Sequence, residues 1–88
     1  MPASTSRAAP LTIYTTTVCG PCRRLKQRLS DEQIPYTEVN VEFDDQAADW
    51  VMKINAGDRT VPTVKFADGS TLTNPSIHEV KAKLAGVD

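Results

Sequence analysis

Two cysteines separated by two residues, in Cys19-Gly20-Pro21-Cys22, are the only thiols of the chain. A pair so spaced can bind a metal, staple a loop or cycle between dithiol and disulfide. The β-branched run Leu11-Thr12-Ile13-Tyr14-Thr15 precedes the pair and apolar residues at helical spacing follow it, so the cysteines fall where a strand hands over to a helix. The first N–H groups of a helix lack intrahelical partners and carry the positive end of the macrodipole. A thiolate on Cys19 is stabilised there, which makes Cys19 the better nucleophile. Pro21 suits the first helical turn, where its missing N–H costs nothing. Cys22 follows Cys19 by one turn on nearly the same side and can close onto it as a disulfide.

The competing uses are weaker. A closed zinc site wants four ligands, and the chain offers only His78 beyond the two cysteines; no metal site is expected. A purely structural disulfide over so short a loop removes little entropy from the unfolded chain. Two inert buried thiols would need an apolar face without Gly20-Pro21 between them.

The elements that must position this pair follow in order. A strand from about Leu11 to Thr15 leads through the cysteine loop to a helix from about Pro21 to Ser30, with Cys22, Leu25 and Leu29 inward and Arg23, Arg24, Lys26, Gln27 and Arg28 outward. Ile34-Pro35 ends it, and Tyr36 to Val41 reads as a second strand, joined to the first by a parallel crossover. A second helix spans about Asp45 to Asn55, burying residues among Ala47, Ala48, Trp50, Val51 and Ile54, with Trp50 read as core and Gly57 beyond its end. Thr63 to Phe66 and Ser70 to Leu72 form a hairpin about Asp68-Gly69. Ser76 and Glu79 form a candidate capping box for a last helix that buries Ile77, Val80 and Leu84 and stops at Gly86; His78 falls on its surface. The order β-α-β-α-β-β-α predicts an α/β, thioredoxin-like fold with a four-stranded mixed sheet.

At 88 residues the chain holds one domain, 11–88, after a Ser/Thr/Ala-rich tail over 1–10 read as disordered. A net charge of −1, with both signs interspersed, gives no basic stripe for nucleic acid. No apolar run reaches transmembrane length and the N-terminus lacks the apolar core of a secretory signal, so neither nucleic acid nor membrane is expected as a partner and a cytoplasmic protein is.

Three stretches carry a resemblance: Tyr14-Thr15-Thr16 before the cysteines, the block from Arg59 to Ser76, and Glu79-Val80-Lys81-Ala82-Lys83-Leu84. Over nearly all of 11–86 the sequence resembles the glutaredoxin family and, within it, the small actinobacterial mycoredoxins. The resemblance implies that Pro62 is a cis-proline beside the redox pair and that Val61 offers its backbone to the thiol substrate. It gives Cys19 the nucleophile's role and Cys22 the resolving role, and it lines the thiol groove with Thr16, Thr17, Thr60, Val61, Pro62, Thr73, Asn74, Pro75 and Ser76. Two departures matter. Gly20-Pro21 is the thioredoxin pairing, where common glutaredoxins carry Pro-Tyr. Thr15, Thr16 and Thr17 also stand where those proteins present a lysine to a glutathione carboxylate. Mycothiol, an uncharged thiol, suits a hydroxyl-rich, lysine-free groove, and Arg59, if it points into the groove, would rescue part of glutathione binding through a bidentate contact.

The resemblance therefore implies a monomeric thiol–disulfide oxidoreductase in electron transport and cell redox homeostasis. It would reduce mixed disulfides of oxidised client proteins with mycothiol as co-substrate and no tightly bound cofactor. An NrdH-type dithiol redoxin recharged by a thioredoxin reductase is the alternative, and an iron–sulfur scaffold built on Cys19 of two subunits the third.

Overall fold

β1 (Leu11–Thr15) lies at the centre of the molecule because its two faces are both used. Leu11, Ile13 and Thr15 are buried on one side, while Thr12 and Tyr14 are half-buried on the other. The computed structural model describes residues 10–58 and 60–85. Arg59, the proposed helix stop at Gly86 and, Pro10 aside, the proposed N-terminal tail lie outside those residues.

α1 (Gly20–Asp31) follows β1, and its stripe of Cys22, Leu25 and Leu29 is buried as the spacing predicts. β2 (Thr37–Asn40) is followed by a single 3-10 turn, Val41–Phe43, then by α2 (Asp45–Ile54), β3 (Thr63–Phe66), β4 (Thr71–Thr73) and α3 (Ile77–Leu84). The sheet order is β2-β1-β3-β4. β1 pairs parallel with β2, Tyr14 opposite Val39, and antiparallel with β3, Ile13 opposite Val64. β3 and β4 form the expected hairpin, with Gly69 at its turn in the left-handed region at φ 90°. This is the four-stranded mixed sheet with three helices that the pattern predicts.

One face of the sheet buries Leu11, Ile13, Val64 and Phe66 against Leu25 and Leu29 of α1 and Val80 of α3. Each such burial is worth roughly 1.5–3 kcal/mol, so this layer fixes how α1 and the cysteines at its start sit on the sheet. The opposite face is smaller: Val41, Ala48 and Val51, flanked by Tyr14, Ala47, Trp50 and Val61.

Three expectations are refined. β2 is shorter than Tyr36 to Val41, because Asn40 turns its side chain back to accept the Glu42 N–H at 2.9 Å and starts the 3-10 turn. Ile54 is 40% exposed, since the buried stripe of α2 centres on Ala48 and Val51 and leaves Ile54 at its margin. Trp50 is half-buried rather than core, its ring 4.8 Å from Tyr14 with Lys65 5.6 Å from its centre. The capping box is as expected: Ser76 accepts the Glu79 N–H at 3.1 Å and Glu79 accepts the Ser76 N–H at 2.8 Å.

Candidate active site

Cys19 is the N-cap of α1, in extended backbone at φ −153°. Its Sγ accepts the Cys22 N–H at 3.1 Å, while its carbonyl accepts the first helical bond, from Arg23, at 3.1 Å. A capping oxygen normally fills this place, and a thiolate accepts such a bond more strongly than a thiol does. The two cysteines are joined as a disulfide with Cα atoms 5.2 Å apart. Cys19 is half-buried, whereas Cys22 is only 1% exposed. An incoming group therefore meets the first sulfur and not the second. Gly20 and Pro21, both exposed, open the helix between them.

The facing wall comes from residues far along the chain. The Val61–Pro62 bond is cis, as the resemblance implies, and the Val61 carbonyl lies 3.9 Å from Cys19 Sγ. Pro62 is buried, Val61 and Thr60 are half-buried, and the Pro62 carbonyl accepts the Asn74 N–H at 2.7 Å. That bond brings the start of α3 to the site. Asn74 adopts φ 48°, a left-handed conformation that asparagine tolerates. Asn74, Pro75 and Ser76 line a cavity of about 310 Å³ together with Pro21, Arg24 and Arg28.

A side-chain relay holds this wall. Thr73 donates its hydroxyl to Asn55 Oδ1 at 2.6 Å, Asn55 donates Nδ2 to the buried Thr63 hydroxyl at 3.1 Å, and that hydroxyl donates to the Thr60 carbonyl at 2.8 Å. Nothing in the sequence singles out Asn55 for this role beyond its place as the C-cap of α2. Two of the threonines before Cys19 are tied to side chains of β2. Thr15 is fully buried and donates to Glu38 Oε2 at 2.7 Å, and Thr17 Oγ1 accepts from Asn40 at 3.1 Å. Thr16, half-buried, lies between them. Glu38 also takes Lys26 Nζ at 2.9 Å. Burial raises the Glu38 carboxyl, but the bonds from Lys26 and Thr15 and the charge of Lys26 outweigh it and hold Glu38 below the usual carboxylate range. His78 is exposed at the cavity rim, and among the described residues no cluster of ligating side chains could hold a metal ion. No helix among them is long and apolar enough to cross a membrane.

The glutaredoxin family model matches residues 11–70. A Mycobacterium tuberculosis protein bearing the glutaredoxin name is 61% identical over 79 residues, 90% of this chain and 94% of its own. Mycoredoxin 1 of Corynebacterium glutamicum is 42% identical over 74 residues, 84% of this chain and 91% of its own. Among solved structures, the glutaredoxin of Archaeoglobus fulgidus superposes with a TM-score of 0.70 over 96% of this chain and 95% of that one; at 18% identity it attests the fold alone. With a Cys-x-x-Cys pair at a helix start on a thioredoxin-like sheet, the chain belongs to the glutaredoxin family and is a thiol–disulfide oxidoreductase.

Proposed function

We propose that the protein reduces mixed disulfides between client proteins and mycothiol, with Cys19 as nucleophile and Cys22 as resolving thiol. It works in the cytoplasm as a monomer without a tightly bound cofactor. The observation that carries the reading is the asymmetry of the pair: Cys19 Sγ is half-buried and accepts the Cys22 N–H at 3.1 Å, while Cys22 is 1% exposed. The Cys19 thiolate attacks the mycothiol sulfur, the mixed disulfide breaks, and the client sulfur leaves as a thiolate that takes a proton from water. A new Cys19–mycothiol disulfide has formed. Either a second mycothiol thiolate attacks its mycothiol sulfur, releasing mycothiol disulfide and the Cys19 thiolate, or deprotonated Cys22 attacks Cys19 Sγ, releasing mycothiol and closing the Cys19–Cys22 bond. In the second course two further electrons must reopen the ring.

The Val61 carbonyl, 3.9 Å from Cys19 Sγ, supports a strand-like reading of the substrate backbone by Thr60, Val61 and Pro62. The cavity beside Pro21 supports Asn74, Pro75 and Ser76 as the continuation of the groove, with Thr73 anchoring it through Asn55 and Thr16 and Thr17 forming the opposite lip. Mycothiol as the thiol is favoured by the 42% identity to mycoredoxin 1 and by threonines, rather than a lysine, at positions 15 to 17. Gly20-Pro21 between the cysteines favours a second reading, a dithiol redoxin recharged by a thioredoxin reductase. The deciding experiment offers the oxidised protein mycothiol with its reductase, glutathione with its reductase, and a thioredoxin reductase, and follows NADPH consumption. Mycothiol is expected to be fastest. Turnover by thioredoxin reductase with none by mycothiol would replace the first reading with the second.

A further inference from the structure

The loop that delivers Cys19 is gripped by an acid. Glu42 Oε2 accepts the Thr17 N–H at 3.3 Å, two residues before the redox sulfur. Glu42 is exposed and, among the described residues, forms no ion pair, in contrast to Glu38, whose charge Lys26 offsets. Asp44 and Asp45 stand exposed just beyond it. The Tyr14 phenol is raised above its ordinary range, first by burial and then by the Asp44 carboxylate. Past Cys19 the sign reverses. Arg23, Arg24 and Arg28 lie along the exposed side of α1, and Arg24 and Arg28 line the cavity that runs to the start of α3. The redox sulfur thus lies where the chain crosses from an anionic flank to a cationic one.

We infer that Glu42 is a specificity-determining residue, which disfavours low-molecular-weight thiols that bring a carboxylate to the Thr17 side of Cys19 and leaves the site to uncharged ones. The inference deepens the reading of a thiol co-substrate at Cys19 and rests on it. A carboxylate approaching Thr17 comes close to a charge that no cation among the described residues pairs, whereas an uncharged thiol meets only a hydrogen-bonding rim. Both charges stay wet, so the discrimination is modest, about threefold to tenfold in rate.

Glu42→Gln separates charge from structure, because its amide oxygen still accepts the Thr17 N–H while the negative charge is gone; Glu42→Lys reverses the charge. Oxidised wild type and both variants are reduced with 3-mercaptopropionate and with 2-mercaptoethanol, and opening of the Cys19–Cys22 disulfide is followed by acid quench, removal of the small thiol and alkylation of the freed cysteines. Each variant is compared with wild type for the same thiol, so the thiols' own reactivities cancel. At low ionic strength the carboxylate-to-neutral rate ratio should rise about threefold in Glu42→Gln and about tenfold in Glu42→Lys, and the gain should fade at 0.5 M salt, where exposed charges are screened. Equal changes for both thiols, an unchanged ratio, or a rise indifferent to salt would each overturn the inference. Neither probe is mycothiol, so the ratio can fail or hold independently of whether mycothiol is the donor.

Discussion

The two walls that meet at Cys19 are built in opposite ways. On one side, the start of α1 is held by bonds within a single turn: Cys22 N–H to Cys19 Sγ and Arg23 N–H to the Cys19 carbonyl. On the other, the Val61 carbonyl and the Asn74 turn are held by bonds that skip along the chain, Asn74 to Pro62 and Thr73 to Asn55. The contrast separates two properties of a redox site. The reactivity of the sulfur is set by its own helix turn, and the presentation of a partner to it is set by side chains distant in sequence. Changes on the two sides should therefore have different signatures.

The largest effect belongs to the local wall. Cys19→Ser should abolish thiol transfer, whereas Cys22→Ser should retain mixed-disulfide reduction by an external thiol and lose the intramolecular disulfide. Iodoacetamide labelling of the reduced protein at mildly acidic pH, read by peptide mass, should modify Cys19 before the buried Cys22. Residual activity in Cys19→Ser, or faster labelling of Cys22, would reverse the assignment of roles.

A smaller effect should come from breaking only the distant wall. Asn55→Ala removes the link from Thr73 to the buried Thr63 hydroxyl, which then keeps its bond to the Thr60 carbonyl but loses its donor. The stability cost should be about 1 kcal/mol by chemical denaturation. Misplacing the Val61 carbonyl should lower kcat/KM for a mixed disulfide about tenfold. The alkylation rate of Cys19 should change less than twofold, because the turn around it is untouched. Equal losses in alkylation and in turnover would show that the two walls are not independent.

The same division explains what could be read from the sequence. Periodicity and the Asp68-Gly69 turn signal mark the four strands and three α-helices but not the 3-10 turn, and the capping box at Ser76 and Glu79 is visible because both partners lie within one turn. The cysteines were legible for that reason too, since the chemistry of Cys19 needs only the helix that follows it. Pro62 is legible only through the resemblance: nothing local marks a proline whose preceding carbonyl lies 3.9 Å from a sulfur 42 residues away. Asn55, Glu38 and Glu42 were not legible as parts of the site, because their partners Thr73, Thr15 and Thr17 lie 18 to 25 residues away. For side-chain hydrogen bonds of that reach, no spacing rule operates. The same limit explains Thr15, which as one of three consecutive threonines looked like part of a polar rim. The β1 pleat turns it inward, where its buried hydroxyl needs the Glu38 carboxylate.

The smallest expected effect lies at Glu38, which joins Thr15 at the end of β1 to Lys26 on α1. Its carboxyl is held below the usual range: burial works against the charge, but the bonds from Lys26 and Thr15 and the Lys26 charge prevail. A depressed carboxylate adds stability that is fully present above the unfolded value of about 4.3 and is lost as pH falls through the lower folded value. The side chain is 34% exposed, so solvent screens much of the attraction and the contribution at neutral pH should stay below about 1 kcal/mol. Glu38→Gln keeps an oxygen for the Thr15 hydroxyl and removes only the charge. Urea unfolding of wild type and variant at pH 7 and at pH 3 should show a gap at the first that narrows at the second, with turnover within twofold of wild type at neutral pH. A gap unchanged between the two would assign the effect to the geometry of the Thr15 contact rather than to the ion pair.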